Sequence, residues 1–549
     1  MRKNKLLLLI SSAGVLVLLL AAAVEENFRR DWRRIQSAGR SEEGPIAVQL
    51  RQVVNPSLRV QDRCVSCHVA MGPGEQGVTG GKTLVPHKAV VHDPAEYGCT
   101  ICHGGQGLAT EKDDAHGDVH FWPSPMIPSD SSYAGCGSCH AALGVPNAAL
   151  YRQQSAAFER LDCLACHRVD KRGGTVRPGG GGMEGPDLSR AGMTGYDKDW
   201  HAKHVRKKEE STSGPWTTAF AEVGEADRKL LDGFLATRVA ASPLMEAKAA
   251  FHSSGCLGCH KVSGTGGEEG PDLTRGGEKD PGQLNFGAVQ DKHTFANWVA
   301  EHFRSPSAVV AESKMPPVAV DEKEIEKLTL YVLSLRRRDV PGSYLPKDRV
   351  KATRFGEREF AADGETIFTA FCSGCHGRDG KGRRAPGMAA FPAVANADFL
   401  NHVSDEFLRT TIKQGRPGRR MPAWDSPTGL RPAEIDAVIG YLRAVSATQS
   451  KADDKPRFVS ANAESGKRLF ESSCSGCHGA KGEGGEGPAL RNPVLLKSAT
   501  DAYLIETIAN GRRGTPMPGF TASSTVHRTY APAEIESIVA FLRTWEGKK

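Results

Sequence analysis

The pattern Cys-x-x-Cys-His occurs seven times in this chain of 549 residues and uses all fourteen of its cysteines. The copies are Cys64–Cys67–His68, Cys99–Cys102–His103, Cys136–Cys139–His140, Cys163–Cys166–His167, Cys256–Cys259–His260, Cys372–Cys375–His376 and Cys474–Cys477–His478. In this pattern the two thiols add to haem vinyl groups and the adjacent histidine becomes the proximal iron ligand. A zinc site, a redox dithiol or a disulfide would use the cysteine pair without needing histidine next to it. Only 18 residues are histidine, so a histidine after every pair is not incidental. The reading is therefore seven covalently attached haem c groups.

That reading constrains the architecture. Aromatic residues are 7% and hydrophobic residues 39%, thin for conventional cores. A haem supplies a large apolar plate, so units of ~90 residues can fold around one where side chains alone would be marginal. The cofactors also change the charge argument. A formal +7 would ordinarily raise nucleic acid or acidic membranes as partners. Haem propionates bring the oxidised holoprotein to about 0 and the reduced one to about −7. The basic sequence then gives no case for nucleic acid.

From Leu6 to Val24 there are 19 residues without a charge. As a helix that run is ~28 Å long, enough to span the hydrocarbon core of a bilayer. Ala21–Ala23 also fits a signal-peptide cleavage site, but the run exceeds a usual signal core, and an uncleaved anchor over residues 1–24 is expected. Arg2, Lys3 and Lys5 precede the run, and Arg29, Arg30, Arg33 and Arg34 follow it, so positive charge does not set the orientation. Attachment of haem c takes place outside the bacterial inner membrane. The expectation is thus a single-pass inner-membrane protein with residues 25–549 in the periplasm.

From about residue 150 a unit recurs four times. Each copy has an aromatic in a helix before the haem motif (Phe158, Phe251, Phe368, Phe470) and a Gly/Pro-rich loop after it. Each ends in an amphipathic helix, expected at 225–239, 322–336, 433–445 and 533–545, with Phe234, Tyr331, Tyr441 or Phe541 on its apolar face. Segments 341–357 and 446–460, rich in proline and charge, read as linkers that would let the outer modules swing.

These features resemble the class I cytochrome c fold. The expected fold is mainly α: four small cytochrome c domains in tandem (151–240, 241–340, 355–447, 458–547), a loop-rich trihaem module (25–150) and the transmembrane helix. In three copies a Met–Pro pair stands where the family's distal ligand falls: Met315–Pro316, Met421–Pro422 and Met517–Pro518. The resemblance also implies that Pro271, Pro386 and Pro488 offer carbonyls to the Nδ1–H of His260, His376 and His478, a bond that orients the ring and tunes the iron. The first copy has Gly214–Pro215–Trp216 where the others have methionine. His201 is the candidate sixth ligand there, with Met183 and Met193 as alternatives, and an open site at this haem would permit reduction of a small ligand.

Residues 25–150 hold three motifs within 77 residues, from Cys64 to His140, and no Met–Pro signature. Four histidines are available as distal ligands, in the order His92, His116, His120, then His87. The arrangement resembles membrane-anchored multihaem cytochromes that work beside quinol-oxidising complexes. Methionine ligation raises a haem's reduction potential relative to bis-histidine. Electrons would run from a quinol-oxidising membrane complex through the first three haems and out to a soluble cytochrome or terminal oxidase. The alternative is a multihaem reductase acting at an open fourth haem.

Overall fold

The computed structural model describes residues 2–174, 185–194, 223–318, 320–336, 339–384, 390–450 and 457–547. Helices dominate, and the four sheets among the described residues are two-stranded antiparallel hairpins of two or three residues per strand. The chain divides into two compact units. The first comprises Met1–Cys139, Arg275–Ser313 and Thr329–Leu345; the second comprises His140–Thr274, Lys314–Leu328 and Pro346–Lys549.

The first unit begins with helix Arg2–Val24, whose apolar side chains are exposed along its length. Lys3–Ala38 holds an 18-residue window of mean hydropathy 2.7, none of it buried. At 1.5 Å per residue the helix is ~35 Å long, long enough to cross a bilayer. Beyond it, order comes from buried polar side chains rather than long helices. Gln36, fully buried in helix Asp31–Ala38, donates to the Ser66 carbonyl at 2.8 Å and accepts from the Gln49 N–H at 2.9 Å. A satisfied buried amide of this kind holds one geometry, because breaking any of its bonds leaves a desolvated polar atom. Asp62 does the same for the second motif: its carboxylate accepts the N–H groups of Cys99 and Thr100 at 2.6 and 2.8 Å. The residue two before Cys64 thus caps the helical turn that carries His103. The later segments of this unit join on similar bonds, Asp280 accepting the Phe121 N–H at 2.9 Å and Arg336 reaching Ser124 Oγ at 3.0 Å.

In the second unit the repeated modules have the expected helices, at Glu225–Ala236, Pro432–Val445 and Pro532–Arg543, with Glu322–Ser334 carrying the corresponding helix of the second copy. Three aromatics before the haem motifs are the largest fully buried side chains: Phe251, Phe368 and Phe470 are at most 1% exposed. Three pairs join the first helix of a module to its last: Phe158–Phe234 at 4.5 Å, Phe368–Tyr441 at 5.5 Å and Phe470–Phe541 at 5.6 Å. The last two modules also share an anchor that the apolar pattern does not reveal. Arg443 binds Asp405 Oδ1 at 3.0 Å and the Val403 carbonyl at 2.7 Å. Arg543 binds Asp501 Oδ1 at 2.8 Å and the Ala499 carbonyl at 2.8 Å. In each, a guanidinium at the end of the last helix caps carbonyls that a short helix leaves open.

The expectation of swinging linkers needs correction. Residues 341–357 contain a 3-10 turn, Gly342–Tyr344, and a helix, Lys347–Phe355, in which Asp348 is 1% exposed. The modules on either side of that helix are packed together. Gly255, just before one haem motif, and Gly374, inside the next, touch so closely that a Cβ at Gly255 would lie 2.1 Å from the Gly374 nitrogen. Gly255 also has φ +72°, a conformation that favours glycine. Arg358 spans the same seam, donating to Glu434 Oε1 at 3.0 Å and Thr265 Oγ1 at 2.9 Å. The last two modules meet through reciprocal bonds, Asn396 Nδ2 to the Arg513 carbonyl at 2.9 Å and Asn492 Nδ2 to the Pro417 carbonyl at 3.2 Å. Of the second linker, residues 451–456 lie outside the described residues.

Candidate haem-binding sites

The motif is one tight turn. At six motifs the histidine N–H donates to the carbonyl of the first cysteine at 2.8–3.0 Å, and at all seven the second cysteine N–H donates to it at 3.1–3.3 Å. Both thiols and the imidazole therefore leave the same turn. The two cysteines of each motif are unbridged, which removes the disulfide reading. Burial pushes the Cys256 and Cys372 thiols up to about 12, the opposite of the low value a redox dithiol needs.

In the four repeated modules each proximal imidazole is held by a proline carbonyl. His167 Nδ1 bonds Pro186 O at 3.0 Å, His260 bonds Pro271 O at 2.8 Å and His478 bonds Pro488 O at 2.8 Å. The expectation of Pro386 for His376 is corrected: its partner is the Pro392 carbonyl at 2.8 Å. The loop after His376 is longer, and a bridge between Arg383 and Phe391 delivers Pro392 beside the ring. Residues 385–389 lie outside the described residues. Nδ1–H donates to the carbonyl, so Nε2 keeps the lone pair that would bind iron. Burial also holds His260, His376 and His478 below the ordinary histidine value, which keeps them neutral. The loop glycines lie against the rings. A Cβ at Gly270 or Gly185 would stand 2.5 Å from the imidazole, and one at Gly487 2.8 Å. These features fit a haem c group at each of these four motifs.

Met315, Met421 and Met517 are half-buried. Two of them sit in matching loops, the Met421 carbonyl accepting from Arg416 N at 2.9 Å and the Met517 carbonyl from Arg512 N at 3.0 Å. Beside these loops stand two guanidiniums that lack a carboxylate among the described residues. Arg416 donates to Thr411 Oγ1 at 2.9 Å, and burial lowers it to about 10. Arg512 bonds Tyr503 OH and packs 4.8 Å from the Phe399 ring, its Nε buried without a partner. Sequence reasoning passed over both; the only signal was the paired Gly415–Arg416 and Gly511–Arg512.

The four candidate histidines of the first unit differ in placement. His87 and His116 are half-buried; His92 and His120 are exposed. The His87 and His103 ring centroids are 6.1 Å apart. After burial, His116 is the largest influence lowering His68, so these two are neighbours as well. His92 packs on Tyr97 at 4.7 Å, and a Cβ at Gly282 would lie 2.2 Å from His120 Nδ1. His201 and Met183 lie outside the described residues; Met193 is in the 3-10 turn Ala191–Thr194. Successive motifs also touch. Asp62, two residues before Cys64, accepts the Cys99 N–H at 2.6 Å, and Gly255 and Gly374 bring the motifs of Cys256 and Cys372 together.

One-turn motifs, carbonyl-held imidazoles and the apolar N-terminal helix define a membrane-anchored multihaem c-type cytochrome. Comparison with known proteins agrees and narrows the kinship. Residues 359–442 and 461–542 match the family described as cytochrome c oxidase, cbb3-type, subunit III, and residues 244–336 match the cytochrome c family. The cbb3-type cytochrome c oxidase subunit FixP of Bradyrhizobium sp. is 31% identical over 198 residues, which are 34% of this chain and 62% of that protein. The subunit CcoP of Rhodobacter capsulatus is 30% identical over 197 residues, again 34% of this chain and 62% of that protein. This chain thus spans about three-fifths of the length of those relatives, 62% in each case. A chain of the Kuenenia stuttgartiensis reducing HAO-like protein complex aligns with 33% of this chain and 95% of its own, at 18% identity and a TM-score of 0.23.

Proposed function

We propose that this cytochrome is a seven-haem electron conduit, held at the outer face of the bacterial inner membrane and facing the periplasm. It takes electrons from a quinol-oxidising membrane complex and passes them to a soluble cytochrome or a terminal oxidase. When bound, each haem supplies one-electron iron chemistry. The contribution of the chain is to set the order of the potentials and the distances between centres. The observation that carries the reading is the close approach of successive motifs: Asp62, two residues before Cys64, accepts the Cys99 N–H at 2.6 Å, and Gly255 lies against Gly374. Electron transfer falls steeply with separation, and adjoining motifs would bring haem edges together.

Met315, Met421 and Met517 would complete the sites opposite His260, His376 and His478 and raise their potentials. Histidines would complete the first three sites and keep them low. Arg416 and Arg512 would hold propionates at the seam of the last two modules, since a buried cation needs an anion and the described residues offer it none. The cbb3-type likeness of residues 359–542 supports delivery to an oxidase-like acceptor from that end. A redox titration resolved by site tests this. The first three haems are expected below the last three; the reverse order would sink the direction of flow.

A further inference from the structure

Of the candidate distal ligands, His87 has its ring beside a proximal imidazole, that of His103. We propose that His87 is the sixth ligand of the haem attached to Cys99 and Cys102, bound across the iron from His103, with the two imidazole planes strongly twisted. The inference rests on the reading that this motif carries haem c.

A metal–imidazole bond is about 2 Å, so two rings on opposite sides of one ion have centroids about 6 Å apart. The His87 and His103 centroids are 6.1 Å apart, with planes at 61°. Aromatic rings in edge contact also fall in this range, so the distance is joined to a second observation. His87 Nδ1 bonds the Lys88 carbonyl at 2.7 Å. That bond fixes the proton on Nδ1 and leaves Nε2 as an acceptor, the tautomer an iron ligand requires. The same device orients the proximal rings of the second unit. His92 shares an open cavity of about 340 Å³ with His87, Met71 and Gln76, but its ring lies on Tyr97. It is the natural competitor.

The full-length matured cytochrome provides the test. Haem is first counted by mass and pyridine haemochrome; a C99A/C102A variant should lose one haem, and an unchanged count would overturn the underlying haem assignment. His87→Ala should keep the count and lose one broad, highly anisotropic low-spin EPR signal, the kind that twisted imidazoles produce. In its place one high-spin ferric signal should appear, with one equivalent of CO bound after reduction. His87→Met should restore a low-spin centre at higher potential. If His87→Ala matures with an unchanged spectrum, or if His92→Ala alone opens the CO site, His87 is not the ligand. If His87→Ala fails to mature, His87→Met decides: a low-spin centre supports the ligation and a high-spin one refutes it.

Discussion

Acid is expected to loosen the second unit through His252, a histidine outside every haem motif. Its side chain is 2% exposed, on helix Ser242–Ser253, with Nδ1 bonded to the Val145 carbonyl at 3.2 Å and Phe360 packed edge-on at 6.0 Å. Burial, reinforced by the Lys248 ammonium, lowers it from 6.5 to about 3. The folded chain therefore keeps His252 neutral, while the unfolded chain protonates it below 6.5. Stability is complete above that value and is lost as pH falls toward 3. At 1.36 kcal/mol per pH unit, the loss is about 2 kcal/mol at pH 5 and about 3 kcal/mol at pH 4. Two other groups face this ring. Glu359 is pushed up by burial, but Lys248 and Arg349 outweigh that and hold it below 4.5, outside the pH 5–7 range of the assay. Lys248 is ion-paired to Glu359 at 2.6 Å. Urea denaturation followed by far-UV circular dichroism at pH 7, 6 and 5 measures the effect. His252→Gln keeps a donor for Val145 and removes the proton, so it should cost about 1–2 kcal/mol at pH 7 yet lose little more at pH 5. Equal pH slopes in the parent and the variant would refute the argument.

Three further outcomes are expected. Gly270→Ala places a Cβ 2.5 Å from the His260 ring; the imidazole must move, at a cost of about 1–3 kcal/mol, and that site should show an altered EPR signal at an unchanged haem count. Met421→His should lower the potential of one haem and replace its His/Met optical signature with a bis-histidine one, read by spectroelectrochemistry. Arg416→Leu removes a buried positive charge beside the sixth haem and should lower that potential by roughly 40 mV, about 1 kcal/mol for one electron, while Arg416→Lys retains most of it. A potential that does not respond would place the propionates elsewhere.

The local chemistry was legible in the sequence because it is local. A cysteine pair with histidine next to it closes one turn wherever it occurs, and a helix with apolar residues on one stripe packs that stripe inward. Phe368 and Tyr441 could thus be matched before any coordinates. Choices between equivalent segments were not legible. Pro386 and Pro392 each follow His376 in a loop, and only the folded path of that loop selects Pro392. Segment 341–357 has the composition of a linker, yet tertiary contacts bury Asp348 and make Lys347–Phe355 a helix. His87 ranked last by position, and its partner lies beyond a loop whose course no spacing encodes. The seam of Gly255 and Gly374 joins residues more than a hundred positions apart, where chain order carries no distance information. The sequence by itself determined the c-type cytochrome class, the turns that carry each cysteine pair and histidine, and the last helix of each module, because those interactions close within a few turns. Only the tertiary structure decided which carbonyl orients the proximal histidine of each repeated module, which motifs adjoin and which histidine rings lie close together, because those contacts depend on how separate segments pack.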